Sequence, residues 1–168
     1  MKKALILIDV QNDYFEGGKF PLWNVGNTLD NIVESVKKAK ENDIEVVLIQ
    51  HVADENGPFF NESSEGVKLH EKLLTVAGDA EVVIKTKADS FYNTNLEELL
   101  SSKGIEELFV AGMMTQNCVT HTAISKSAEK YKVSMVADLC TTVSEPIHFI
   151  GLDAVTTRID VITKDMIK

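Results

Sequence analysis

Three residues in this chain carry side chains suited to acyl chemistry: Cys118, Lys85 and Asp9. Cys118 lies in Gly112-Met113-Met114-Thr115-Gln116-Asn117-Cys118-Val119-Thr120, directly after Glu107-Leu108-Phe109-Val110-Ala111, a run with the length of a buried strand. Val119, Thr122, Ala123 and Ser127 then recur at helical spacing, and Thr115 or Asn117 would cap the helix start. The pattern predicts Cys118 in the first turn of a helix that leaves the end of a strand. Backbone N–H groups there lack intrahelical partners, and the helix dipole favours an anion. A thiol so placed has a lowered pKa and attacks carbonyls as the thiolate. A buried cysteine that behaves as a small hydrophobe fits the same stretch, and these residues alone leave both readings open.

Asp9 closes the apolar run Ala4-Leu5-Ile6-Leu7-Ile8, and Lys85 closes Val82-Val83-Ile84. Taken singly, Asp9 could cap a turn and Lys85 could be a solvated edge residue. Together with Cys118, however, they fall at or just past the carboxyl ends of three strands. That edge is where open parallel sheets bind ligands.

The elements that must position them alternate along the chain. Ala4–Ile8 is apolar throughout, as in a strand buried on both faces. A helix is predicted from Asn27, on Leu29, Ile32, Val33, Val36 and Ala39, with Asn27 and Asp30 resembling a capped start. Ile44–Gln50 is the second strand, ending at His51, and residues 52–65 are predicted as a long surface loop. Val67, Leu73 and Leu74 suggest a short amphipathic helix or turn before the third strand, Val82–Ile84. Thr94-Asn95-Leu96-Glu97 reads as a capping box opening a helix on Leu96, Leu99 and Leu100. After the Cys118 segment come a fifth strand, Val133–Ala137, ending at Asp138, and a helix opened by Ser144-Glu145-Pro146. Val161-Ile162 lies in the last strand. Strand and helix alternate from end to end without repeat or linker, which predicts one α/β domain over residues 1–168 with a parallel sheet.

Composition narrows the function. Hydrophobic residues make up 44% and charged residues 26%, near globular averages, and the net charge is −9 with no basic cluster. That balance argues against a nucleic-acid or anionic-membrane partner. Met1-Lys2-Lys3 leads into a short apolar run that stops at Asp9, so no signal peptide is expected, and no run approaches a membrane span. Two cysteines, Cys118 and Cys140, make no disulfide framework. The expectation is a cytoplasmic chain with reduced thiols. Cys140, placed past the fifth strand, is expected to be inert.

The residues so far resemble the isochorismatase-like cysteine hydrolases, a superfamily that includes nicotinamidases and carbamoyl-amide hydrolases. Ile6-Leu7-Ile8-Asp9-Val10-Gln11-Asn12-Asp13-Tyr14-Phe15 is similar to the family's opening strand and DxQxDF-type run. Lys85 through Leu96 is similar to its K-x(5)-F-x-x-T-x-L segment, and the spacing to Phe91 and Thr94 selects Lys85 over Lys87. Gly112 through Val119 is similar to its G-x-x-T-x-x-C-V block. The resemblance implies a Rossmann-like, six-stranded mainly parallel sheet with helices on both faces. It also implies a catalytic triad of Asp9, Lys85 and Cys118, and a cis peptide at Met113-Met114. The N–H groups of Met114 and Cys118 would then form an oxyanion hole. The activity implied is hydrolysis of a C–N bond in a small amide or ureide through a thioester, by a homo-oligomer acting on a small-molecule substrate.

Nicotinamidases of this superfamily carry a metal-binding Asp-x-His and a further histidine after the second strand. This chain has Gln50-His51-Val52-Ala53-Asp54 there and no second histidine before His70. His51 with Asp54 is poor metal spacing, so no metal and no cofactor are expected, and nicotinamide is not expected as the substrate. True isochorismatases, in the family pattern, lack the nucleophilic cysteine that Cys118 would supply. His51 either contacts substrate or ends its strand in a satisfied hydrogen bond, and Phe15, Trp23, Phe60 and Phe91 either line a pocket or belong to the core. The competing reading is a non-catalytic protein of this fold with Cys118 as a redox-sensing thiol, for which Asp9 and Lys85 are not needed.

Overall fold

The alternating pattern resolves into six strands and five helices in the computed structural model, which describes residues 1–168. The strands are β1 (Lys2–Ile8), β2 (Glu45–His51), β3 (Glu81–Lys85), β4 (Ile105–Met113), β5 (Lys132–Thr141) and β6 (Asp160–Ile162). The helices are α1 (Val25–Glu41), α2 (Glu71–Ala77), α3 (Leu96–Ser102), α4 (Thr120–Ala123) and α5 (Glu145–Asp153). Every strand pair is parallel and the order is β3-β2-β1-β4-β5-β6, so the sheet is parallel throughout rather than mainly so. Right-handed crossovers on that order place α1 and α2 on one face and α3, α4 and α5 on the other. Ala4 to Ile8 are buried on both sides, as their unbroken apolar run requires. No helix is long and apolar enough to cross a membrane.

The strand order reverses between β1 and β4, which makes their carboxyl ends the switch point of the sheet. Asp9 leaves β1 there and the Cys118 segment leaves β4. At this seam Ile8 sits opposite Gly112. Gly112 has φ 121°, and a Cβ on it would stand 2.1 Å from the Ile8 carbonyl oxygen. Only glycine lets the two strands close here.

Several element ends differ from the sequence reading. Helix α1 begins at Val25 behind Asn24, whose φ of 52° turns the chain, and neither Asn27 nor Asp30 caps it. Asparagine tolerates that left-handed geometry and so moves the start upstream. Helix α3 is entered through Asn95, with Thr94 Oγ1 accepting from Leu96 N, a turn and not a full capping box. Helix α4 stops at Ala123, because Ser125 opens a separate 3-10 turn containing Ser127. Strand β5 runs past Asp138 to Thr141, so Cys140 lies inside it, opposite Gly112, across an irregularity in the β4–β5 register. The loop over residues 52–65 is only partly at the surface, since Phe60 and Asn61 are buried.

Replacing Gly112 with Ala should therefore destabilise the fold by roughly 2–6 kcal/mol, from backbone strain plus the Ile8 clash. Gly26, in the first turn of α1 with nothing near its would-be Cβ, should tolerate Ala at no cost. Urea unfolding of the two variants checks the contrast; equal midpoints would contradict the close seam.

Candidate active site

Lys85 reaches inward from the end of edge strand β3, and its residue is 1% exposed. Its Nζ lies 3.0 Å from Asp9 Oδ2, 2.8 Å from His51 Nδ1, 3.0 Å from the Lys87 carbonyl oxygen and 3.3 Å from Cys118 Sγ. An ammonium has three protons, so four acceptors compete for them and one is always short. Asp9 is fully buried; beyond the ion pair, neither carboxylate oxygen has a partner of hydrogen-bond geometry. Its φ of 53° turns the chain sharply off β1.

Charge and burial set the protonation states. Burial raises the Asp9 carboxyl above its ordinary range, with Lys85 pulling it back. Burial and then the Asp9 charge push the Cys118 thiol up to about 12, against the smaller downward pull of Lys85. This corrects the expected low-pKa thiolate. Cys118 stands not in an ordinary helix start but in a π-helical turn, Thr115–Val119, followed only by the four residues of α4. So short a helix offers little dipole against the desolvation of a thiol 4% exposed. Cys118 at rest is a neutral thiol beside a base. Cys140 is likewise pushed to about 12 by burial, and its Sγ faces the Val136 carbonyl.

His51 is drawn in by Lys85. Because the ammonium can only donate, His51 Nδ1 must accept and its proton must sit on Nε2. Burial and the charges of Lys85 and Lys87 hold its pKa down at about 4. Gln11 clamps the same residue by its backbone, Nε2 donating to the His51 carbonyl and Oε1 accepting from its N–H, at 2.8 Å each. Asp13 accepts from Lys19 N and Phe60 N, tying down the loops on either side. A Cβ on Gly66 would strike the Asp13 carboxylate at 2.1 Å. The run from Asp9 to Asp13 thus sets one carboxylate facing the site and two side chains that hold its walls.

The Met113–Met114 peptide is cis. Thr115, which the sequence reading offered as a cap, hydrogen-bonds instead to His148 Nδ1 of α5 at 2.8 Å. Among the aromatics, Phe60 is buried with its ring 5.9 Å from that of His51. Phe15 lies against His70, Phe91 stacks on Tyr131, and Trp23 sits near His148. Tyr14, not singled out from sequence, packs on Phe60 at 4.6 Å, and burial, followed by the charges of Asp9 and Cys118, raises its phenol pKa. Only its place between Asp13 and Phe15 pointed to it. Gln11, His148 and Tyr14 are ordinary residue types whose roles arise from contacts distant in sequence.

Asp9, His51 and Cys118 present ligand-type atoms within 4.8 Å of one another. The Lys85 ammonium contacts all three, so a metal ion held by this set would stand against a fixed positive charge. The donors do not fit a metal while Lys85 is among them.

A doubly wound parallel sheet with a cysteine, a lysine and an aspartate meeting at its switch-point edge defines the class as an open α/β protein with its candidate site where such sheets bind ligands. Residues 3–165 match the model of the isochorismatase domain, and the chain belongs to the isochorismatase family. It is 34% identical over 143 residues to the Bacillus subtilis isochorismatase family protein YddQ, covering 84% of this chain and 79% of that one. It is 29% identical over 153 residues to the Yersinia enterocolitica ureidoacrylate amidohydrolase RutB, covering 71% and 66%. The crystal structure of nicotinamidase PncA from Bacillus subtilis superposes with a TM-score of 0.86 at 26% identity, over 96% of this chain and 99% of that one. Membership with amidohydrolases among the relatives supports a hydrolase.

Held by Lys85, the His51 imidazole should titrate near pH 4 with its proton on Nε2 at neutral pH, read by NMR of the ring nitrogens. Between about 6.5 and 4 the unfolded chain keeps a proton that the folded site refuses, so His51 makes stability fall as pH drops through that window. An ordinary titration near 6.5, or an Nδ1–H tautomer, would show that the contact does not persist in solution.

Proposed function

We propose that the chain is a metal-independent cysteine hydrolase that cleaves a C–N bond of a small amide or ureide, with Cys118, Asp9 and Lys85 as its catalytic residues. The observation that carries this reading is the Lys85 ammonium set between a buried carboxylate and a buried thiol. A structural lysine needs no thiol partner, and an inert thiol needs no base.

The high thiol pKa decides the order of events. With little standing thiolate, attack requires Asp9 to take the Cys118 proton as the sulfur bonds to the carbonyl carbon. Burial has already raised the proton affinity of Asp9, which suits it to that task. The carbonyl π electrons move to oxygen, where the N–H groups of Met114 and Cys118 are proposed to receive the charge. As the intermediate collapses, the C–N bond breaks and the proton on Asp9 passes to the departing nitrogen, which leaves as ammonia or an amine. Asp9 then takes a proton from water as its oxygen attacks the thioester, and returns it to the sulfur when the acid leaves. Lys85 keeps its proton throughout; it offsets the negative charge that alternates between Asp9 and the sulfur.

A panel of small amides and ureides, assayed for released ammonia with and without a chelator, tests the substrate class and the metal independence together. On any substrate found, Asp9→Asn should lower turnover by roughly 10²–10⁴-fold. The same change should bring the Cys118 pKa down from about 12, because it removes the negative charge that helps to hold it there. Alkylation rates mapped to the Cys118 peptide across pH read that shift. Turnover that survives Asp9→Asn, or that vanishes with chelator, would overturn the reading.

A further inference from the structure

Two polar groups beside the thiol have no partner in the chain, and the proposed relay uses neither. The first is the Tyr14 hydroxyl. Tyr14 is 1% exposed, with its ring enclosed by Phe60 at 4.6 Å, Phe59 at 5.6 Å and Phe20 at 6.3 Å. Those rings offer the hydroxyl no oxygen or nitrogen. It makes no hydrogen bond within the chain, and unlike that of Tyr131 it is not sealed from solvent, so the trace of surface Tyr14 keeps includes the oxygen. A buried tyrosine ordinarily finds its hydroxyl a partner, and phenylalanine would fill an apolar pocket without the polar atom.

The second group is the Nε2–H of His51. Nδ1 is committed to accepting from Lys85, which leaves the proton on the other nitrogen, and nothing in the chain accepts it. The side chain is 22% exposed, and a ring nitrogen lies within 4.8 Å of Cys118 Sγ. Both rings lie against Phe60, that of His51 at 5.9 Å. Burial, with the charges of Asp9 and Cys118 adding to it, keeps the phenol protonated, so Tyr14 can donate. His51 stays neutral above about pH 4 and keeps its one donor.

We infer that Tyr14 and His51 form a substrate-binding subsite, two hydrogen-bond donors for an oxygen acceptor carried on the acyl side of the substrate beyond the scissile carbonyl. The scissile oxygen is assigned to the N–H groups of Met114 and Cys118, and the departing nitrogen to Asp9, so two more donors serve a further group. That group is a carbonyl or a carboxylate. A plain alkyl chain would leave both donors unpaired in a buried site, the costly case in recognition. The subsite rests on the proposed hydrolase for its reacting group, but binding alone can test it.

Three amides with one heavy-atom skeleton separate the cases: malonamate carries a carboxylate, malonamide a second carbonyl, and 3-methylbutanamide neither. Calorimetry on Cys118→Ala measures their binding without turnover. The two acceptor amides should bind at least ~10-fold more tightly than 3-methylbutanamide, and adding Tyr14→Phe should cut that preference at least ~5-fold. The His51 Nε2 resonance should shift with the acceptor amides and not with 3-methylbutanamide. Tyr14→Phe should not lower the thermal midpoint, because the hydroxyl has no partner in the chain. Equal binding of the three amides, binding of none, or a preference that survives Tyr14→Phe would overturn the inference. Ammonia release by the wild-type chain is scored separately. A binding preference without turnover would count against the hydrolase reading and uphold the subsite; turnover without a preference would do the reverse.

Discussion

One buried ammonium holds the site together. Lys85 leaves the edge strand β3 and ends fully enclosed, where an unpaired charge would be strongly unfavourable. It is tolerable because Asp9, His51, the Lys87 carbonyl and Cys118 converge on it from β1, β2, its own loop and the turn after β4. Removing one partner from a buried pair costs about 3–5 kcal/mol, so the carboxylate and the cation each constrain where the other can be. Burial raises the proton affinity of the Asp9 carboxyl and of the Cys118 thiol alike, and Lys85 pulls both back, so one cation bears on two groups that could exchange a proton.

The rest of the fold serves that convergence. The sheet order puts the carboxyl ends of β1 and β4 side by side, and Gly112 lets them close. Gln11 fixes the backbone of His51, and Asp13 pins Phe60 and Lys19. The cluster also explains why metal ligands and metal need not coincide here. The three ligand-type side chains already surround a cation, and it belongs to the protein.

Much of this was legible in the sequence. Apolar runs pointed to all six strands, most plainly in β1, which is buried on both faces, and least so in the edge strands β3 and β6, whose runs are short and partly exposed. Asp9, Lys85 and Cys118 stood out because each is a reactive type at a strand end. Helix starts were less legible: Asn24 starts α1 through a left-handed backbone that any spacing rule misses. The thiol pKa was misjudged because the helix-start argument counts the dipole, whereas enclosure and the Asp9 charge depend on contacts across the sheet. His51 and Tyr14 take their places from such contacts too. That Ile147, Phe149 and Ile150 of α5 point to water became visible only once His148 and Gly151 were placed against the Cys118 turn.

The dependence on Lys85 can be measured without any substrate. In Lys85→Met the Asp9 carboxyl loses the charge that offsets its burial, so its titration should move further up. Infrared difference spectroscopy between this variant and one that also carries Asp9→Asn isolates the carboxyl of Asp9. The protonated-acid carbonyl band of Asp9 should persist to higher pH in Lys85→Met than in the wild type and be absent from the double variant. An Asp9 that titrates at the same pH with and without Lys85 would contradict the claim that this ammonium holds the site.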